Sequence, residues 1–130
     1  MNILLDASAF MAVLINEPEK GQIIHLTKNC TLLAPSMLPY EIGNALTRLK
    51  KRKILNSQEV ITVFNDFRLI PLRLLDIELE NALQIACRYD LYAYDAFYLE
   101  IASRLNLQLL TLDNLMKKVA IDLKVKLLEE

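Results

Sequence analysis

Ile3-Leu4-Leu5-Asp6-Ala7-Ser8 is the stretch whose reading decides the fold. A short run of branched apolar residues with no alternation describes a strand covered on both faces, the usual condition of a central strand in a parallel sheet. Asp6 then falls at the strand's carboxyl end, the edge of an open α/β sheet where ligands bind. A blander reading competes with this one, because Asp6 also suits the N-cap of a helix over 9–15, a task that Ser8 would do equally well.

Outward from that strand, apolar runs alternate with helical patterns. Pro18 opens a second helix ending near Asn29, and Thr31 to Ala34 reads as the next strand, stopped by Pro35. A helix from Ser36 or Pro39 places Leu38, Ile42, Ala45, Leu46 and Leu49 on one side and ends in Lys50-Lys51-Arg52-Lys53. Asn56 followed by Glu59 is a capping-box start for a helix reaching Phe67. Leu69 to Leu74 is a candidate strand. Asp76 is expected to cap a helix running to Tyr89 with Ile77, Leu79, Ala82, Leu83 and Ala86 as its buried stripe. A helix over 94–105 is apolar on most of its circumference and should be central. Leu107 to Leu110 is a strand, 114–120 a last helix, and Val125 to Leu128 an expected edge strand. The pattern is α/β: one domain over residues 1–130 with a central, mostly parallel sheet flanked by helices.

The chain has 130 residues, enough to bury a core without metal or disulfide support. Its 54% hydrophobic content makes a self-association surface plausible. The formal net charge of −1 gives a nucleic-acid partner no support from overall charge, so that case rests on local patches. No leader pattern and no apolar stretch of membrane-spanning length is visible, and a cytoplasmic protein is expected. Cys30 and Cys87 are not spaced as a metal pair and read as buried small hydrophobes, and the single histidine, His25, reads as structural or exposed. Two glycines make no phosphate-cradling loop.

Four acids fall at strand exits or helix starts: Asp6, Glu41, Asp95 and Asp113. In a parallel sheet those positions share one edge, so the four carboxylates can meet. Taken singly, each is explained by the helix dipole, worth several tenths of a kcal/mol. As a set they repel by about 4 kcal/mol for each pair 4 Å apart at an effective dielectric near 20, which a divalent cation offsets and a dipole does not. All-oxygen ligation selects a hard ion such as Mg²⁺ or Mn²⁺.

Asp6-Ala7-Ser8 after an N-terminal strand, Glu41 followed by Asn44, Tyr94-Asp95-Ala96 with Tyr98 and Ala102, and Leu110-Thr111-Leu112-Asp113 together resemble the PIN-domain ribonucleases. Within them the chain is most similar to VapC-type toxins of toxin–antitoxin pairs. The resemblance spans nearly the whole chain and implies a Mg²⁺- or Mn²⁺-dependent endoribonuclease with a cognate antitoxin. It carries Asp6, Glu41, Asp95 and Asp113 over as catalytic and metal-ligating acids, Ser8 and Thr111 as hydroxyl supports, and Asn44 as a polar neighbour. Two departures stand out: Asn114, Leu115 and Met116 follow Asp113 where members often carry a further acid, and Asp90 stands at a glycine-like turn, where a solvated turn residue is expected.

The implied mechanism has the ion held mainly by Asp6 and Asp95, with an activated water attacking phosphorus in line. Lys50, Lys51, Arg52 and Lys53 are the best candidates for phosphate contacts, and their bland alternative is a solvated helix end. Tyr92, Tyr94 and Tyr98 are candidates for base stacking, against core or homodimer contacts. Two rival classes stay open: a Mg²⁺-dependent nuclease or phosphatase acting on something other than RNA, and a noncatalytic protein-interaction module.

Overall fold

The computed structural model describes residues 1–129. Its elements run β1 (Asn2–Leu5), α1 (Ala7–Leu14), α2 (Lys20–Thr27), β2 (Thr31–Pro35), α3 (Leu38–Lys51), α4 (Ser57–Arg68), β3 (Arg73–Leu75), α5 (Leu79–Tyr89), α6 (Ala93–Leu105), β4 (Gln108–Leu110) and α7 (Asn114–Asp122). The four strands form one sheet in the order β3-β2-β1-β4, and every pairing is parallel. Register is set by Ile3 opposite Leu32 on one side and Gln108 on the other. Parallel pairing brings all four carboxyl ends to one edge. The chain moves outward from β1 to β3 and then returns to β1's other side as β4. The β1–β4 gap is therefore the topological switch point, where a crevice opens between diverging connections.

Ile3, Leu4 and Leu5 are buried, as are Leu33, Ala34, Leu109 and Leu110, so the sheet is covered on both faces. Each large aliphatic side chain buried in this way contributes about 1.5–3 kcal/mol. Helix α6 is central: Ala96, Tyr98, Leu99, Glu100, Ile101 and Ala102 are all buried. Asn56 and Glu59 form the full capping box of α4, with bonds of 2.8 and 2.9 Å. Asp90 is a left-handed residue (φ 56°) closing α5, exposed as a turn residue. Among the described residues no helix is long and apolar enough to cross a membrane.

Several expectations are corrected. Val125 to Leu128 is not an edge strand but forms a single parallel bridge, between Leu127 and Leu109. The contact is limited to two hydrogen bonds, Leu109 N to Lys126 O and Leu128 N to Leu109 O, and β4 itself ends at Leu110. The third strand starts at Arg73 rather than Leu69: Leu69 N still bonds back to Asp66 O, and Pro71 has no N–H to offer a ladder. Asp76 does not cap α5, which begins three residues later at Leu79. The reason lies on α6. Buried Glu100 accepts Glu78 N at 3.3 Å and pairs with Arg104 at 2.6 Å, and Arg104 also donates to the Asp76 carbonyl at 3.0 Å. The buried face of α5 is correspondingly turned: Ala82, Ile85, Ala86 and Tyr89 face the core, while Leu79 and Leu83 are exposed. Cys87, one position past Ala86 and so about 100° round the helix, is exposed, and Cys30 is half-buried.

Candidate active site

Asp6 follows β1 directly and caps α1, its Oδ1 accepting Ala9 N at 3.1 Å. The capping role and the sheet-edge position thus belong to one residue. Ser8 Oγ donates to the same oxygen at 2.6 Å and itself accepts Leu112 N at 3.1 Å. Thr111 Oγ1 donates to Asp6 Oδ2 and accepts Asp113 N at 3.0 Å. Two hydroxyls therefore tie the exit of β1 to the loop after β4, across the switch point. Asp113 caps α7 through Oδ1, which accepts Met116 N at 2.9 Å.

The other two acids arrive on helix starts. Glu41 lies in the first turn of α3 and Asp95 in the first turn of α6, both half-buried. Tyr98 Oη donates to Glu41 Oε1 at 2.7 Å and fixes that side chain from below. Burial pushes the Tyr98 hydroxyl far above its usual range, with the Glu41 charge next, so it stays a donor.

Burial first, and neighbouring negative charge second, raise three of the four carboxyls. Asp6 is pushed up mainly by burial; bonds from Ser8, Thr111 and Ala9 N oppose this, and the Asp113 charge adds to it. Glu41 is raised by burial, against the Tyr98 bond, and then by Asp6 and Asp95. Asp95 is raised by burial and then by Asp113. The edge thus collects negative charge with no cation of the chain bonded to it among the described residues.

As they stand, no three His, Cys, Asp or Glu side chains among the described residues are close enough to hold an ion. The donor set nevertheless suits a hard cation. A carboxylate offers about four lone-pair sites, and Asp6 commits three of them. Glu41 Oε2, Asp113 Oδ2 and both oxygens of Asp95 accept nothing from any described residue. All four acids retain acceptor capacity, all of it oxygen, and each of three is raised by a neighbour's charge.

The remaining candidates divide. Ser8 and Thr111 touch Asp6 directly. Asn44 is exposed one helical turn after Glu41, on the same side of α3. Lys50, Lys51, Arg52 and Lys53 are not brought to the acids. They occupy the carboxyl end of α3, about 13 Å or more along the axis from Glu41 at 1.5 Å per residue. The nearer lysines are on α7, where Lys117 is paired with Glu129 at 3.5 Å and Lys118 is exposed. Of the tyrosines, Tyr98 is buried while Tyr92 and Tyr94 are exposed. Sequence reasoning gave Tyr98 no task beyond stacking or packing; a tyrosine buried on a mostly apolar helix does need a hydroxyl partner, and that was the available signal. His25 is exposed, away from these residues on α2.

The chain and its fold have counterparts among known proteins. The PIN domain family model matches residues 3–122. Ribonuclease VapC9 of Mycobacterium tuberculosis is 31% identical over 113 residues, 85% of each chain. Ribonuclease VapC3 of Pyrobaculum aerophilum is 25% identical over 118 residues, 87% of this chain and 90% of that one. Among solved structures, VapBC2 from Rickettsia felis bound to a DNA fragment from their promoter superposes with a TM-score of 0.69 at 16% identity, covering 99% of this chain and 98% of the other.

Proposed function

The chain belongs to the PIN-domain family, and on that premise we propose that it is a Mg²⁺- or Mn²⁺-dependent endoribonuclease of the VapC type, the toxin of a toxin–antitoxin pair. The observation that carries the proposal is the meeting of Asp6 and the Asp113 loop across the switch point, tied by Ser8 and Thr111, with Glu41 and Asp95 on two helix starts joined through Tyr98. A purely structural role would favour neutral or cationic partners there, since helix caps need no acid to face another.

Asp95, whose two oxygens accept nothing from any described residue, and the uncommitted site on Asp6 Oδ2 would be the primary ligands, with Asp113 Oδ2 as a further donor. When bound, the ion supplies Lewis acidity, polarising a phosphate oxygen and lowering the pKa of a water. Glu41 Oε2 takes the proton of the attacking water. Its other oxygen is anchored by Tyr98, and burial raises its pKa toward the range where a carboxylate is an effective base. The water oxygen bonds phosphorus, the opposite P–O bond breaks, and the leaving oxygen is protonated from solvent. Ser8 and Thr111 keep Asp6 oriented and hold the Asp113 loop against it.

A cognate antitoxin, an RNA substrate, a homodimeric state and a cytoplasmic site of action complete the reading. The likeness to VapBC2 supports the first, and the ribonuclease names of the relatives support the second. Exposed Leu79 and Leu83 on α5 support a contact between copies.

Purified protein incubated with total bacterial RNA in Mg²⁺ or in EDTA, followed by mapping of new 5′ ends, tests this. Defined ends are expected with Mg²⁺ alone and not with Asp95→Asn. Absence of new ends, or the same ends from Asp95→Asn, overturns the assignment.

A further inference from the structure

Three of the chain's five tyrosines stand exposed around the acidic edge. Tyr40 is 79% exposed, Tyr92 87% and Tyr94 52%. Tyr40 immediately precedes Glu41 in the first turn of α3. Tyr94 immediately precedes Asp95 in the first turn of α6, and Tyr92 is the N-cap residue of that helix. Neighbouring Cα atoms are about 3.8 Å apart, so Tyr40 and Tyr94 each start beside a candidate catalytic carboxylate, and Tyr92 starts three residues before Asp95. The 2.7 Å bond from Tyr98, one turn after Asp95 on α6, to Glu41 joins the starts of α3 and α6, so Tyr40 stands on one of two adjoining helix ends and Tyr92 and Tyr94 on the other. Tyr94 is braced edge-to-face by Phe97, with centroids 5.8 Å apart and planes at 79°, and remains half open to solvent. The other two tyrosines are committed: Tyr98 to Glu41 and Tyr89 to Asp122.

The charge pattern makes these rings consequential. The strongest cationic run, Lys50 to Lys53, is at the opposite end of α3, and Lys117 is engaged by Glu129. A polyanion approaching the acids therefore meets that run only at a distance, and of the two α7 lysines Lys118 alone has no ion pair among the described residues. Affinity has to come from another source, and aromatic stacking supplies about 1–3 kcal/mol per base, but only from bases that are unpaired and splayed.

Resting on the ribonuclease reading above, we infer that Tyr40, Tyr92 and Tyr94 are base-stacking platforms that flank the scissile phosphate. The α3 ring takes the base on one side and the α6 rings take bases on the other. These residues position substrate and select single-stranded segments; they take no part in proton transfer.

The test uses a pool of randomised, unstructured RNA 20-mers with Mg²⁺ and the full chain, comparing wild type with Tyr40→Ala, Tyr92→Ala and Tyr94→Ala and with the three Tyr→Phe variants. Each alanine variant is expected to lose roughly 5- to 150-fold in kcat/KM, the factor equivalent to one stack, carried mainly by KM. Each phenylalanine variant should cleave like the wild type, because it keeps the ring. Melting temperatures should not move for Tyr40→Ala and Tyr92→Ala, since those rings are exposed, and should fall slightly for Tyr94→Ala, which loses its contact with Phe97. Full kcat/KM in all three alanine variants, while the wild type cleaves, overturns the stacking inference and leaves the ribonuclease reading intact. A defect accompanied by loss of a dimer in size-exclusion chromatography also overturns it, assigning the rings to a contact between copies. Failure of the wild type to cleave either the pool or total RNA removes the ribonuclease reading itself.

Discussion

Thr111→Val isolates the hydroxyl that joins the two sides of the switch point. The side chain is buried, so the substitution keeps its branching and removes one donor and acceptor. Two interactions go: the bond to the buried Asp6 carboxylate and the 3.0 Å bond accepted from Asp113 N. A hydrogen bond to a charged group contributes about 1.5–3 kcal/mol and a neutral one about 1. The added apolar contact offsets a little, leaving an expected loss of about 2–4 kcal/mol. With an unfolding entropy of about 2.1 cal/mol/K per residue, a chain of this length loses roughly 4 °C per kcal/mol, so Tm should fall by about 7–15 °C. The Thr111 bond favours ionised Asp6, opposing burial. The penalty should therefore be largest at neutral pH and shrink as Asp6 takes up its proton in acid. Urea unfolding followed by far-UV circular dichroism in EDTA, at pH 7 and at pH 5, measures both effects. A loss under about 0.5 kcal/mol at pH 7, with an unchanged m-value, refutes the claim that Thr111 holds Asp6 in place.

The metal-free protein should be more stable at pH 5 than at pH 7 in the contribution from Asp6, Glu41 and Asp95. Burial raises their folded-state pKa values above the unfolded ones, so between the two values the folded chain holds more protons and stability falls as pH rises. The midpoint of urea unfolding across that range checks the sign, and removing the three acids should flatten the slope. Asn56→Ala breaks the capping box of α4 and should cost about 1 kcal/mol in urea unfolding while leaving RNA cleavage unchanged. Arg104→Met strands the buried Glu100 carboxylate and should lower stability by about 3 kcal/mol, visible as a lower Tm and as faster amide exchange in the first turn of α5.

Much of the architecture was legible in local patterns. Ile3 to Leu5 lacked alternation because both faces are covered, and Asn56 with Glu59 announced a helix start that depends on nothing distant. Where a distant residue decides, local signals failed. Asp76 is as good a cap as any, yet the start of α5 is set by Glu100 and Arg104 on α6. Leu79 and Leu83 fit a helical stripe as well as Ile85 and Tyr89 do, and only the face of α6 chooses between them. The acids could be placed on one edge because strand exits and helix starts share it in any parallel sheet. The same logic would have set Lys50 to Lys53 at the far end of the helix that begins beside Glu41. The Tyr98 bond to Glu41 joins residues 57 apart in sequence and was beyond reach of spacing.

The central claim is that four carboxylates form one cation site, and the most direct measurement is the melting temperature of wild type and Asp95→Asn in EDTA and in Mg²⁺. The account predicts that Mg²⁺ raises the wild-type Tm, by the equivalent of about 2.7 kcal/mol at 100 times Kd. It also predicts that Asp95→Asn melts higher than wild type in EDTA, through relief of repulsion, and responds little to Mg²⁺. Equal melting of both proteins in EDTA, together with no response of the wild type to Mg²⁺ or Mn²⁺, would contradict it.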